Sequence, residues 1–130
     1  MARAPFQVQV LAFRRSPDDM WAFGLLRRSD DEAWQGIAGR GEYGEKPFEA
    51  AMRETEEEAG WRASQVTLFD LDTFDCVRAD CLGARTQWPA ELYVVPQYYF
   101  AIDAGRRIVK SKVGRTYQIQ RTKPAAFQSR

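Results

Sequence analysis

Between Glu42 and Glu58 the chain places seven of its eighteen acidic residues, and three of them, Glu54, Glu57 and Glu58, stand at i, i+3 and i+4. On a helix that spacing sets carboxylates about one turn apart, close enough to repel unless positive charge lies between them. Hard divalent cations such as Mg²⁺ or Mn²⁺ favour carboxylate oxygen and hold substrate phosphates in their remaining positions. The chemistry indicated is therefore metal-assisted work on a phosphate compound. A solvated acidic helix face is the plain alternative, since charge runs usually are solvated. What favours the metal reading is the glycine cluster just before the helix.

The elements that must position these residues can be read around them. Pro47 suits the first turn of a helix, where its missing N–H costs nothing, and Gly60 suits a left-handed cap, so the helix is expected over residues 47 to 59. Phe48, Ala51, Met52, Thr55 and Ala59 form its apolar stripe, with Glu57 opposite and Glu54 and Glu58 flanking. Lys46, at the expected N-cap, lacks a side-chain acceptor, a deficit of about 1 kcal/mol. Gly39, Gly41 and Gly44 are expected to form a loop using backbone conformations closed to other residues. Strands are expected at Gln7 to Phe13, Met20 to Leu26, Trp34 to Ala38, Val66 to Val77 and Leu92 to Ile102. Strands, one helix and further strands make a mixed α/β layer fold.

Composition narrows the chemistry. The chain has 130 residues, 45% hydrophobic and 13% aromatic, which suits one domain with a real core. It has no histidine, so a Ser-His-Asp or Cys-His nucleophile is excluded and a zinc site would need unusual ligands. Cys76 and Cys81 read as reduced thiols. No apolar run is long enough for a membrane span, and no signal-peptide stretch follows Met1, so a soluble cytoplasmic protein is expected. The net charge of +1 hides a polarity: residues 105 to 130 carry eight basic residues and no acid, leaving eleven basic against eighteen acidic residues, a net −7, before them.

Gly39, Glu45, Arg53-Glu54, Glu57-Glu58 and Gly60-Trp61 are spaced as in the Nudix box, G-x5-E-x7-R-E-U-x-E-E-x-G-U with U apolar, and the chain resembles the Nudix hydrolases over roughly residues 5 to 103. Thr55 departs from the Leu or Ile of the pattern. Trp34-Gln35 before a small-residue strand is similar to the branch with dihydroneopterin triphosphate and dATP pyrophosphohydrolases. The resemblance implies an α/β/α sandwich with a mixed sheet, and hydrolysis of a nucleoside diphosphate derivative with Mg²⁺ or Mn²⁺. It implies Glu57 and Glu58 as principal metal ligands and Glu54 as a further ligand or the proton acceptor. It also implies Arg53 and Glu45 as braces of the loop, and Gly39 as a close backbone approach to the metal.

The last quarter departs from the family. No acid follows Asp103, so a base there is excluded and Glu54 is the better candidate, with Asp80 and Glu91 as alternatives. The second helix that normally closes the fold is missing or divergent in residues 105 to 130, although Ile108, Val109, Val113, Tyr117 and Ile119 could form strand. A homodimer partner completing the domain, a shortened protein or a change of reading frame near Gly105 would each explain it. For substrate contacts, Trp34, Phe74, Tyr93, Tyr98, Tyr99 and Phe100 could stack a ring, and Arg78 and Arg85 could meet phosphates, though aromatics in strands are more often core. A catalytically silent Nudix-like module binding nucleotide or RNA is the alternative class, ranked below the hydrolase because Glu54, Glu57 and Glu58 are all present; the partner expected is a small nucleotide-type diphosphate and not nucleic acid.

Overall fold

A computed structural model describes residues 3–15, 20–27, 34–81, 88–105 and 116–122. The described residues form seven strands and one α-helix: β1 (Arg3–Arg15), β2 (Trp21–Arg27), β3 (Trp34–Gln35), β4 (Ile37–Glu42), α1 (Pro47–Ala59), β5 (Thr67–Arg78), β6 (Val94–Asp103) and β7 (Thr116–Thr122). The strands make one mixed sheet. On one flank β1 runs parallel to β6, which pairs antiparallel with β5. On the other flank β1 is shared: its first part pairs with β4 and its last part with β2. β7 lies antiparallel along β2 from Thr116 to Thr122.

The division of β1 is made possible at Gly36, between β3 and β4. A Cβ there would lie 2.7 Å from the Val10 carbonyl oxygen, so only glycine lets the chain pass this close to β1. Alternation along β1 sends Ala4, Phe6, Val8, Val10 and Ala12 to one face of the sheet, where they are buried with Ile37, Phe100 and Ile102 beneath α1. The opposite face carries a polar chain. Gln9 donates to Gln97, Gln97 to the Tyr99 hydroxyl, and Tyr99 to Asp75 at 2.7 Å.

The helix has the expected bounds but a different buried face. Ala50, Ala51, Thr55 and Ala59 are at most 2% exposed and Glu54 and Glu58 are buried, whereas Phe48 is 47% exposed. The stripe is thus rotated toward the acidic side, and α1 leans over β4. Thr55 fits this dry face because its hydroxyl donates to the Ala51 carbonyl at 2.7 Å. At the N-terminus Glu49 accepts a hydrogen bond from the Lys46 N–H, supplying half of a capping box that lysine itself cannot complete. Gly60 ends the helix at φ 77° with its N–H on the Glu56 carbonyl.

The glycine cluster is also not the expected loop. Gly39 and Gly41 are inside β4, and of the three only Gly44 has positive φ. Absent side-chain volume, not backbone freedom, explains the other two: a Cβ on Gly41 would strike the Phe6 ring at 2.1 Å, and one on Gly39 would strike the Glu54 carboxyl carbon at 2.0 Å.

Candidate active site

The centre of the acidic stretch is Arg53. Its Nε and Nη2 both reach the Glu45 carboxylate, at 2.8 and 3.1 Å, in a two-pronged pairing. Nη2 also donates to the Arg40 carbonyl at 2.8 Å, which ties the helix to β4. Nη1 takes Glu54 at 2.8 Å and Glu57 at 3.2 Å, with a Glu42 oxygen 3.8 Å away. Glu45 in turn accepts from the Glu42 N–H at 2.9 Å, closing the turn after β4. The bond to Glu45 raises the Arg53 pKa further above its ordinary value, burial opposes this, and the Glu54 charge adds to the rise. The guanidinium therefore stays charged wherever the protein is folded.

Each carboxylate has a different setting. Glu54 is 8% exposed and fills the space that a Gly39 side chain would occupy. Glu58 is 4% exposed and accepts from the Ala38 N–H at 3.3 Å. Glu57 is exposed. Two buried carboxylates on one helix face are tolerated because a backbone donor and a guanidinium meet them there.

Among the described residues no three acidic or thiol side chains are grouped so as to hold a metal ion. The expected juxtaposition of Glu54, Glu57 and Glu58 is therefore not present as a ligand set. Arg53 Nη1 stands between Glu54 and Glu57, supplying the positive charge the spacing demands, and Glu58 is turned to β4. The donor chemistry still suits Mg²⁺ or Mn²⁺, since all three offer hard carboxylate oxygen within little more than one helix turn. Two contributors to the site have no side-chain signal in the sequence: the Arg40 carbonyl and the Ala38 N–H.

Of the expected substrate contacts Trp34, Arg78 and Arg85, only Arg78 lies wholly within the described residues. Arg78, at the end of β5, is exposed and bonded to Asp80, whose carboxyl it holds below the usual range. The side chain of Trp34 and all of Arg85 lie outside the described residues. Phe100 and Tyr98 are on the α1 face of the sheet and Tyr99 is on the other. No α-helix other than α1 occurs among the described residues, and none is long and apolar enough to cross a membrane.

A search of curated proteins finds no match to the chain. Among solved structures, a Listeria monocytogenes protein described as a NUDIX hydrolase is similar at 30% identity and TM-score 0.75, covering 96% of this chain and 82% of its own. The E. coli dihydroneopterin triphosphate pyrophosphohydrolase shares the fold at 23% identity and TM-score 0.73, covering 91% and 81%. A C. elegans Ap4A hydrolase does so at 19% and 0.59, covering 90% and 80%. The NUDIX domain model matches residues 5–106, which include the whole Arg53 cluster, and the chain belongs to the NUDIX family of hydrolases.

Proposed function

We propose that the chain is a divalent-metal-dependent pyrophosphohydrolase that cleaves a nucleoside di- or triphosphate derivative by water attack on phosphorus. The observation that carries this reading is the Arg53 cluster, in which one guanidinium joins Glu45 of the turn after β4 to Glu54 and Glu57 of the helix, whose next acid, Glu58, is bonded to β4. Glu54, Glu57 and Glu58 would hold Mg²⁺ or Mn²⁺, which when bound lowers the pKa of water and offsets pyrophosphate charge. Arg53 and Glu45 are positioning residues that fix the helix relative to β4. A Glu54 carboxylate oxygen takes the proton from the attacking water as its oxygen bonds to phosphorus. The bridging P–O bond breaks and the leaving phosphate or pyrophosphate departs with the electron pair. Gly39 serves this role by leaving room for the Glu54 carboxylate. Cytoplasmic location fits two free, exposed thiols, Cys76 and Cys81.

The test is release of phosphate or pyrophosphate from nucleoside triphosphates, nucleotide sugars, dinucleoside polyphosphates and dihydroneopterin triphosphate, with and without Mg²⁺, beside Glu57→Gln. Activity that needs the metal and falls by about 10²-fold or more in the variant is expected. Equal rates for the two proteins, or inertness of both on every compound with either metal, would overturn the reading.

A further inference from the structure

Across α1 from the Arg53 cluster, on the side of β5 and β6, there is a cleft of about 390 Å³. Four rings line it: Phe48 from the helix, Phe74 from β5, and Tyr98 and Phe100 from β6. They meet in two pairs, Phe48 with Phe100 at 6.1 Å edge to face and Phe74 with Tyr98 at 5.8 Å. Phe74 is 60% exposed and Phe48 47%, so ring faces remain open to a ligand. Two carboxylates complete the wall, Asp70 and Asp72. They are brought there by an irregularity in β5, where pairing with β6 shifts between Asp70 and Phe74 and Asp72 has φ 52°. The Asp72 N–H donates to Asp70 Oδ1 at 2.8 Å, and among the described residues neither carboxylate has an ion pair.

We infer that this cleft is a binding site for a small organic cation of the quaternary or alkyl-ammonium class. Open ring faces attract a weakly hydrated cation through their quadrupole, and carboxylates beside them add charge complementarity. A second copy of the chain is a poor occupant, because an antiparallel edge carrying Asp70, Asp72 and Asp75 would face its own acids. Lys46 also lines the cleft, but it is exposed and its flexible stem can carry the ammonium into water. The site uses no residue of the Arg53 cluster and does not rest on the hydrolase reading.

The experiment is a titration of the full chain with choline and with its uncharged isostere 3,3-dimethylbutan-1-ol, followed by backbone amide shifts. Saturable choline binding with shifts at Asp72, Thr73 and Phe74, at least about fourfold tighter than the alcohol, is expected from exposed cation–π contacts. Phe74→Leu and the double variant Asp70→Asn/Asp72→Asn should each weaken it about fourfold while the thermal melt stays near that of the wild type. Asparagine tolerates the left-handed backbone at position 72, so the second variant preserves the turn. Equal binding of the alcohol, shifts elsewhere, no saturation, or Kd values unchanged in the variants would each overturn the site. Choline binding that weakens as protein concentration rises would mean that a second copy covers the cleft, and would overturn it too.

Discussion

Arg53 satisfies at once a turn, a helix and a strand, so its geometry matters more than its charge. Lysine would keep the charge but lose the fork that meets Glu45 twice and still reaches the Arg40 carbonyl and Glu54. Arg53→Lys should therefore cost about 1–3 kcal/mol in urea unfolding, because partly buried acceptors lose partners; a loss under about 0.5 kcal/mol, the range of ordinary surface changes, would refute this. On the far sheet face Tyr99 makes a pH-dependent contribution. Burial, and then the bond to the Asp75 carboxylate, raise its pKa, while the Gln97 bond lowers it. A raised folded pKa means that the neutral hydroxyl is favoured by the fold. This contribution is complete below the ordinary tyrosine value of about 10 and is lost as pH rises through the folded value. Unfolding free energy measured from pH 8 to 11 should fall more steeply in the wild type than in Tyr99→Phe. Parallel curves would show that the hydroxyl contributes nothing to the slope.

At the scale of elements, the bounds of α1 were legible because Pro47 and Gly60 act locally, the one through its missing N–H in the first turn and the other through its left-handed φ. Its buried face was not legible. Hydrophobic spacing selects Phe48 and Met52, yet the helix buries Glu54 and Glu58, because Arg53, itself held by Glu45 and the Arg40 carbonyl, meets Glu54 on the helix while the Ala38 N–H meets Glu58 from a strand remote in sequence. Gly44 and Gly60 have the positive φ expected of them, but Gly39 and Gly41 were misread for a related reason: a pattern reveals that a Cβ is missing but not whether backbone angle or space requires it. For Gly39 the answer is space, and it has a consequence. In Gly39→Ala the new methyl and the Glu54 carboxylate cannot share one place, and the side chain is the part able to move. The fold should survive with a melting temperature only a few degrees lower. Metal-dependent turnover should drop by about tenfold or more as Glu54 is displaced. Wild-type turnover in this variant would dissociate Glu54 from the chemistry.

For the whole molecule, the open question is how the basic end relates to the acidic body. Its composition has no amphipathic helix period, and strand residues in it were recognisable only as isolated apolar positions. The pairing of β7 with β2, from Trp21 with Thr122 to Arg27 with Thr116, joins the two parts through backbone groups, for which the sequence has no side-chain code. Antiparallel pairing makes a sharp prediction. Among the described residues β7 bonds to β2 on one side only, so successive N–H groups alternate between the ladder and the open edge. A proline is costly at the first kind of position and nearly free at the second. Gln118→Pro and Ile119→Pro should therefore differ: one loses about 1–3 kcal/mol with its ladder bond, the other only a few tenths. Urea melts of the two variants measure the difference directly. Equal and negligible losses would show that residues 116–122 do not belong to the sheet in solution. Equal large losses would mean that the segment is held on both sides, as it would be if a partner covered the β7 edge. An unequal pair identifies the basic segment as a strand of the domain and β7 as its open edge.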